Sequence, residues 1–176
     1  MNKVQPISLA DKAKQEYEKG NYVVAAKMFS QAAQAYAAAQ DELNAAEMKN
    51  NQSVALLQAG KAQEALQVTD GTEQIFQQAG DLKRQGLAVG NRAAALEGLK
   101  KWQEALAEYD RAASLLEQAG EGDMHSVVRK AAANLNLKLG RVSASQMDVL
   151  DSLRLAEKPT FTQRIMKFML RIGLIK

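Results

Sequence analysis

The sequence contains no cysteine and a single histidine, His125. Without cysteine the chain can form neither a disulfide nor a thiolate metal site, which is compatible with a reducing compartment. One histidine is too few for a two-histidine metal site, and we expect it on the surface near the start of a helix. The glycine-rich run at 120–123 lacks the Lys-Ser/Thr pair of a phosphate-binding loop. These absences predict a protein with no catalytic residues, no metal and no cofactor, and therefore not an enzyme.

Proline and aromatic residues are also scarce. The two prolines, Pro6 and Pro159, lie near the ends, so the long interval between them contains nothing that forbids a helix. Aromatic residues make up 5% of the chain while alanine is abundant, which favours close packing of helices through small side chains. No stretch approaches a charge-free membrane span, and the first residues lack the apolar core of a signal peptide. We predict a cytoplasmic, all-α protein.

The charge of the chain is unevenly distributed. The formal net charge is +3, with 23 basic and 20 acidic residues. Four of the basic residues, and no acid, lie in the segment 160–176, so the rest of the chain is close to neutral. The basic isoelectric point therefore comes from this segment and does not indicate that the body binds nucleic acid.

A unit that begins at Gly20 and extends to Ala32 recurs at a fixed spacing. Its copies begin at positions 60, 100 and 140, so the interval is the same each time. Small and aromatic residues recur most clearly in the first and third copies, as Ala25, Phe29, Ala32 and Ala105, Tyr109, Ala112. A constant period of this length is typical of a solenoid, in which each unit buries its apolar face by stacking on the next.

Turn signals between these copies divide the chain into helices. Glycine supplies the conformation that ends a helix, and a following acid suits the next helix start. We predict eight antiparallel helices, at 8–19, 22–39, 42–58, 62–78, 82–98, 102–118, 123–139 and 142–156. They form four units, at about 8–40, 41–80, 81–120 and 121–157, within a repeat domain spanning 1–158. The poor helix formers at 69–72 predict a bend or a loosened turn within the fourth helix.

Two glycines lie four positions apart in the predicted helix 82–98. Gly86 and Gly90 would face the same side of that helix. They would either let a neighbouring helix approach closely, or they are simply tolerated there.

The pattern Gly-x-Tyr-x-x-Ala-x-x-x-Phe-x-x-Ala at 20–32 resembles the tetratricopeptide repeat. The resemblance implies a right-handed α–α superhelix of four helix pairs, as in the long-helix members of that family. The repeat period of this chain departs from that of the family, whose usual repeat is shorter, at about 34 residues. The longer spacing of this chain also suits HEAT and armadillo repeats, but the recurring alanine and aromatic positions favour the tetratricopeptide interpretation.

This resemblance implies a non-catalytic scaffold or adaptor that binds a peptide or helix of a partner protein on its concave face. The first helix of each pair would line that face. Asn51 and Asn91 hold equivalent places, and asparagine offers a donor and an acceptor to a peptide backbone. The candidate peptide-binding residues are Lys14, Asn50, Asn51, Asn91, Lys130 and Asn134. Alternatively, Asn51 and Asn91 bond neighbouring helices or solvent. In the tetratricopeptide family, asparagines at this place in successive units hold the bound peptide. In the first and fourth units of this chain the equivalent residues are Asp11 and Ala131, so the row of asparagines is interrupted, which argues against a receptor for chaperone tails.

The segment 159–176 is predicted to form a basic amphipathic helix, because Thr160 and Gln163 match a capping box. Its candidate contact residues are Phe161, Arg164, Ile165, Lys167, Phe168, Arg171 and Ile172. The helix could cap the open end of the solenoid, enter an anionic membrane surface or dock on a partner. The second possibility gives an alternative function, a peripheral membrane-associated assembly or trafficking factor. The sequence leaves the oligomeric state open.

Overall fold

The computed structural model describes residues 6–155, which form an all-helical chain. Within this range there are nine α-helices and no strand: α1 Pro6–Glu18, α2 Tyr22–Ala38, α3 Glu42–Gln58, α4 Ala62–Val68, α5 Thr72–Gln78, α6 Leu82–Gly98, α7 Trp102–Gln118, α8 Gly122–Lys138 and α9 Val142–Arg154. We call α1, α3, α6 and α8 the first helices. The second helices are α2, the pair α4 with α5, α7 and α9. The first helix begins at Pro6, not at the predicted residue 8, since proline is well suited to the opening turn of a helix.

A residue with positive φ stands at every twentieth position from 20 to 140. Glycine fills five of these seven positions, and Gln40 and Lys100 fill the others with φ values of 59° and 61°. Each ends a helix and reverses the chain, because the left-handed conformation lets the next amide return to the last helical turn. At residue 60, for example, the amide of Lys61 donates to the carbonyl of Leu56 at 2.9 Å. The division into helices that the turn signals predict is confirmed at these positions.

Two of the predicted acidic caps are present. Asp41 accepts a hydrogen bond from the backbone amide of Asn44, and Asp81 accepts one from that of Arg84. Each carboxylate thus satisfies an amide that the first turn of a helix leaves without a partner. Glu121 makes no such bond.

The predicted helix 62–78 is divided into α4 and α5. Gly71 has a φ of 79°, and the hydroxyl groups of Thr69 and Thr72 donate to the carbonyls of Leu66 and Thr69. These bonds compete with the helical pattern of the backbone. The predicted loosened turn at 69–72 is therefore confirmed, as a break between two short helices.

The recurring small and aromatic residues lie in the core. Ala25, Phe29 and Ala32 are buried in one cluster, and Ala105, Tyr109 and Ala112 in the next. Consecutive helices pack side by side, and α3 also packs on α6, so the units stack. Alanine lets the backbones approach, while the aromatic residue fills the space between units. The repeated unit is thus a packing device.

Gly86 and Gly90 differ in how closely they are approached. A Cβ atom on Gly86 would lie 2.8 Å from Cγ of Leu116, a contact that real side chains do not make. A Cβ atom on Gly90 would lie 3.6 Å from Val128, an ordinary contact. Close helix approach therefore explains Gly86, and simple tolerance explains Gly90.

We expect Gly86→Ala to destabilise the protein and Gly90→Ala to stabilise it. Alanine is the better helix former by about 1 kcal/mol at either site, but overpacking against Leu116 costs about 1–3 kcal/mol at Gly86 alone. Urea denaturation would compare the two variants, which carry the same substitution in the same helix. Equal changes in the free energy of unfolding would contradict the close approach at Gly86.

We also expect Lys100→Gly to stabilise the protein by about 0.5–1 kcal/mol, because glycine adopts a positive φ without strain. The matched control is Lys101→Gly. Lys101 has a φ of −85°, so the same change of charge should bring no gain there. Denaturation midpoints decide the question, and a gain at Lys101 as large as that at Lys100 would refute the assignment of strain.

Candidate functional site

A groove lies between α3 and α6, the two central first helices. Its volume is about 460 Å³, and its lining includes three of the predicted peptide-binding residues, Asn50, Asn51 and Asn91. Val54 and Leu87 contribute apolar surface between them. Because Asn51 and Asn91 are separated by one repeat period, they occupy equivalent places on adjacent units. We call this cavity the α3–α6 groove.

The amide groups in the α3–α6 groove have unused hydrogen-bonding capacity. Asn50 is buried, with 6% of its surface exposed, and its Oδ1 atom has no hydrogen-bond partner. The side chains of Asn51 and Asn91 are half-buried and make no hydrogen bond within residues 6–155. Bonding of these two asparagines to neighbouring helices therefore finds no support among the described residues, and bonding to solvent stays the alternative to a peptide-binding role.

Charged side chains at the rim of the groove neutralise one another. Arg84 contacts Asp81 at 2.6 Å and Glu47 at 3.3 Å, and it lies 5.2 Å from the ring centroid of Phe76. Partial burial would raise the pKa of Asp81, but the hydrogen bonds from Arg84 lower that pKa overall. Lys83 pairs with Glu121 at 2.8 Å. The groove therefore presents amide and apolar groups to a ligand, and the charged groups at its rim are already paired.

A smaller cavity of about 170 Å³ lies between α1 and α3. It is lined by Lys14, Tyr17, Glu18 and Phe29 together with Asn51 and Val54. Since Asn51 and Val54 also line the α3–α6 groove, the two cavities meet across α3. The structure thus places the predicted residue Lys14 beside Asn51.

Lys130 and Asn134 lie apart from the other predicted residues. Both are exposed on α8, and neither lines the α3–α6 groove. Their repeat equivalents, Asn50 and Val54, do line it. The structure therefore brings together Asn50, Asn51, Asn91 and Lys14, but not the two residues of α8.

The candidate contact residues of the C-terminal segment lie outside the described residues. These are Phe161, Arg164, Ile165, Lys167, Phe168, Arg171 and Ile172. The predicted amphipathic helix 159–176, and the membrane-associated alternative that depends on it, remain predictions.

The surface position predicted for His125 is wrong. Its side chain is completely buried on α8, and Nε2 lies 3.4 Å from Oδ2 of Asp151 on α9. Burial lowers the pKa of His125; Asp151 and Glu117 act in the opposite direction, and Arg129 and Arg154 add to the lowering. The residue is therefore a neutral core side chain. The repeat itself carries the signal, since the equivalent residues Ala45 and Gln85 are also buried.

Arg129 joins the last three helices near His125. Its guanidinium lies 2.6 Å from both Asp110 on α7 and Asp151 on α9, and 3.5 Å from Asp148. Burial raises the pKa of Asp148, although the hydrogen bond from Asn136 and the charge of Arg129 oppose that rise. Each acid has a basic or amide partner, so this cluster is a structural ion-pair network.

In the described part of the chain, no cluster of histidine, cysteine, aspartate and glutamate is arranged to hold a metal ion. Nor does any helix between residues 6 and 155 have the length and apolar character needed to cross a bilayer. Comparison with known protein families gives no matching family model. A search of curated proteins likewise gives no significant match.

The buried histidine predicts acid sensitivity. Because the pKa of His125 is lower in the folded state, the unfolded chain binds a proton that the folded chain resists. The free energy of unfolding should therefore fall as the pH drops below about 6.5, by at most about 1.4 kcal/mol per pH unit from this group. His125→Leu, of similar size, should remove this contribution. Urea denaturation between pH 7.5 and 5.5 would measure it.

Asp148→Asn serves as the control, because Asp148 is the neighbouring acid whose pKa is raised. A raised folded-state pKa means that Asp148 takes up its proton more readily in the folded chain, so Asp148 opposes the loss of stability at low pH and Asp148→Asn should keep the acid sensitivity. If the acid sensitivity survives in His125→Leu, the assignment to His125 fails.

Proposed function

We propose that this chain is a non-catalytic scaffold or adaptor that binds an extended segment of a partner protein in the α3–α6 groove. We also propose that its helix pairs wind as a right-handed superhelix of the tetratricopeptide type, with the first helices on the concave side. The fold supports this in its stacked pairs and its buried Ala-aromatic-Ala positions. The partner would be a protein or peptide.

The observation that carries the proposal is the free Oδ1 atom of Asn50, beside the unbonded side chains of Asn51 and Asn91. A buried carbonyl group without a partner costs about 1–3 kcal/mol. This oxygen is closed to solvent, so the Asn50 side chain would have to turn towards the groove for a peptide N–H to donate to it and remove that cost. Peptide backbone alternates donors with acceptors, and the asparagine amide provides both.

The rest of the groove suggests what such a segment would carry. Val54 and Leu87 offer apolar surface that an aliphatic side chain of the ligand could cover. The rim charges are already paired, as Arg84 with Asp81 and Lys83 with Glu121. We therefore expect backbone recognition with an apolar anchor. A strongly charged motif would have to displace existing ion pairs.

The double variant Asn51→Ala/Asn91→Ala should weaken binding of such a segment. Each lost hydrogen bond contributes about 0.5–1.5 kcal/mol, so the double variant should bind roughly 5- to 150-fold more weakly. Random peptides displayed on phage would be selected on the wild type. Fluorescence polarisation would then give the dissociation constant of each selected peptide for both proteins.

The matched control is Gln63→Ala/Gln103→Ala. These two amides are also separated by one repeat period, but they are exposed on the second helices α4 and α7. They should leave the affinity unchanged. If the selection enriches no peptide, or if the selected peptides bind both double variants equally, the groove is not the binding site.

A further inference from the structure

Large apolar side chains are exposed only on the two terminal helix pairs of the described chain. Between residues 6 and 155 these are Ile7, Val23 and Val24 on the first pair, and Val127, Leu137, Val142 and Met147 on the last. None lies on α3 to α7. Each inner pair is covered by its neighbours, whereas a terminal pair keeps one face open to water.

The open face of the last pair carries apolar side chains that lie between charged side chains already paired with one another. A shallow cavity of about 430 Å³ on α8 and α9 is lined by Arg129, Met147, Asp148, Leu150, Asp151 and Arg154. Asp151 is already paired with Arg129 and Arg154. Met147, which is exposed, and Leu150, which is half-buried, are the apolar side chains that line this cavity. We call this surface the α8–α9 end.

We propose that residues 162–176 cover the α8–α9 end as the first helix of a fifth unit. Six repeat positions are buried in all three of the helices α3, α6 and α8. In α3 they are Ala45, Ala46, Met48, Ser53, Ala55 and Leu56. Continuing the same repeat period beyond α8 places Ile165, Met166, Phe168, Gly173, Ile175 and Lys176 at these positions. Five of the six are apolar or small.

The basic residues of the segment support this register over its neighbours. Arg164, Lys167 and Arg171 fall at positions that are not buried in α3, α6 or α8. A shift by a single position in either direction would place two basic side chains at buried positions, whereas the register that continues the repeat places one there, Lys176 at the last position. Burying an unpaired charge is costly, so the register that continues the repeat is preferred. Gly173 then aligns with Ser53, Ala93 and Ala133, which are all small and buried.

One contact between units also supports the register that continues the repeat. In the last described unit, Arg129 on α8 pairs with Asp110 on the preceding second helix. The residues one repeat period further on are Met169 and Leu150. An ion pair would therefore be replaced by an apolar pair, and Leu150 is one of the side chains that line the open cavity.

The length of the connection also favours the α8–α9 end. The short segment 156–161 separates Leu155 from the start of the proposed helix. An extended chain spans at most about 3.3–3.6 Å per residue, so that helix must begin within roughly 25 Å of Leu155. The segment 162–176 would cover the end of the stack, so a failure of peptide binding in the α3–α6 groove would not contradict its placement there.

The test uses the full-length chain in solution. Nuclear Overhauser effects should connect the methyl groups of Leu150 and Met169, and the amides of 165–175 should exchange with solvent at least about tenfold more slowly than in an unfolded peptide. Met169→Arg and Leu150→Asp should each remove most of that protection. The double variant recreates the pair formed by Arg129 and Asp110, and it should recover much of the protection lost.

Leu174→Arg is the matched control, because it adds the same charge at a position that is not buried in α3, α6 or α8. It should leave the protection unchanged. Unprotected amides throughout 165–175 would overturn the proposal. So would protection that appears only with vesicles of phosphatidylcholine and phosphatidylserine, which would indicate a membrane-binding helix. Overhauser effects between differently labelled copies would assign the α8–α9 end to a second molecule instead.

Discussion

Every helix pair in this chain depends on its neighbours for burial. The faces in contact are rich in alanine, and an alanine side chain contributes little apolar area, so one pair alone cannot offset the loss of conformational entropy. Stacking solves this because each inner pair shares two faces with its neighbours, and each terminal pair of the described chain shares one. Ala25, Ala65 and Ala105 occupy the same repeat position and are each fully buried. The left-handed residue at every twentieth position keeps the pairs in register. Stability is therefore a property of the stack.

The second helices supply one core position that recurs from unit to unit. Phe29 and Tyr109 fill the equivalent space in the first and third units, and Thr69 occupies it in the second. The hydroxyl of Tyr109 donates to Glu97, which also pairs with Lys138 of the next unit. Burial raises the pKa of Tyr109, so the phenol remains a neutral donor. In the second unit, where Thr69 stands at this position, the second helix breaks at Gly71.

Sequence reasoning could predict the helices because their signals are local. Gly60 and Gly140 mark joints by their backbone freedom, and Asp41 and Asp81 mark caps by their chemistry. The failures have a different origin. The surface prediction for His125 rests on residue type alone, whereas its repeat position, shared with the buried residues Ala45 and Gln85, indicates burial. The free Oδ1 atom of Asn50 carries no such signal, since a missing bond is visible only when all neighbours are in place.

The asparagine at position 50 is not required by packing. The equivalent residues in the other units are Ala10, Gly90 and Lys130, so the repeat accepts an apolar, a minimal or a charged side chain there. Ala10 is buried to the same extent as Asn50 without any polar group. Alanine at position 50 would therefore preserve the helix and avoid an unpartnered carbonyl, which costs about 1–3 kcal/mol. Under the proposed function, a bound peptide segment would donate a hydrogen bond to this group, which would explain why a group that is costly to the free protein is kept.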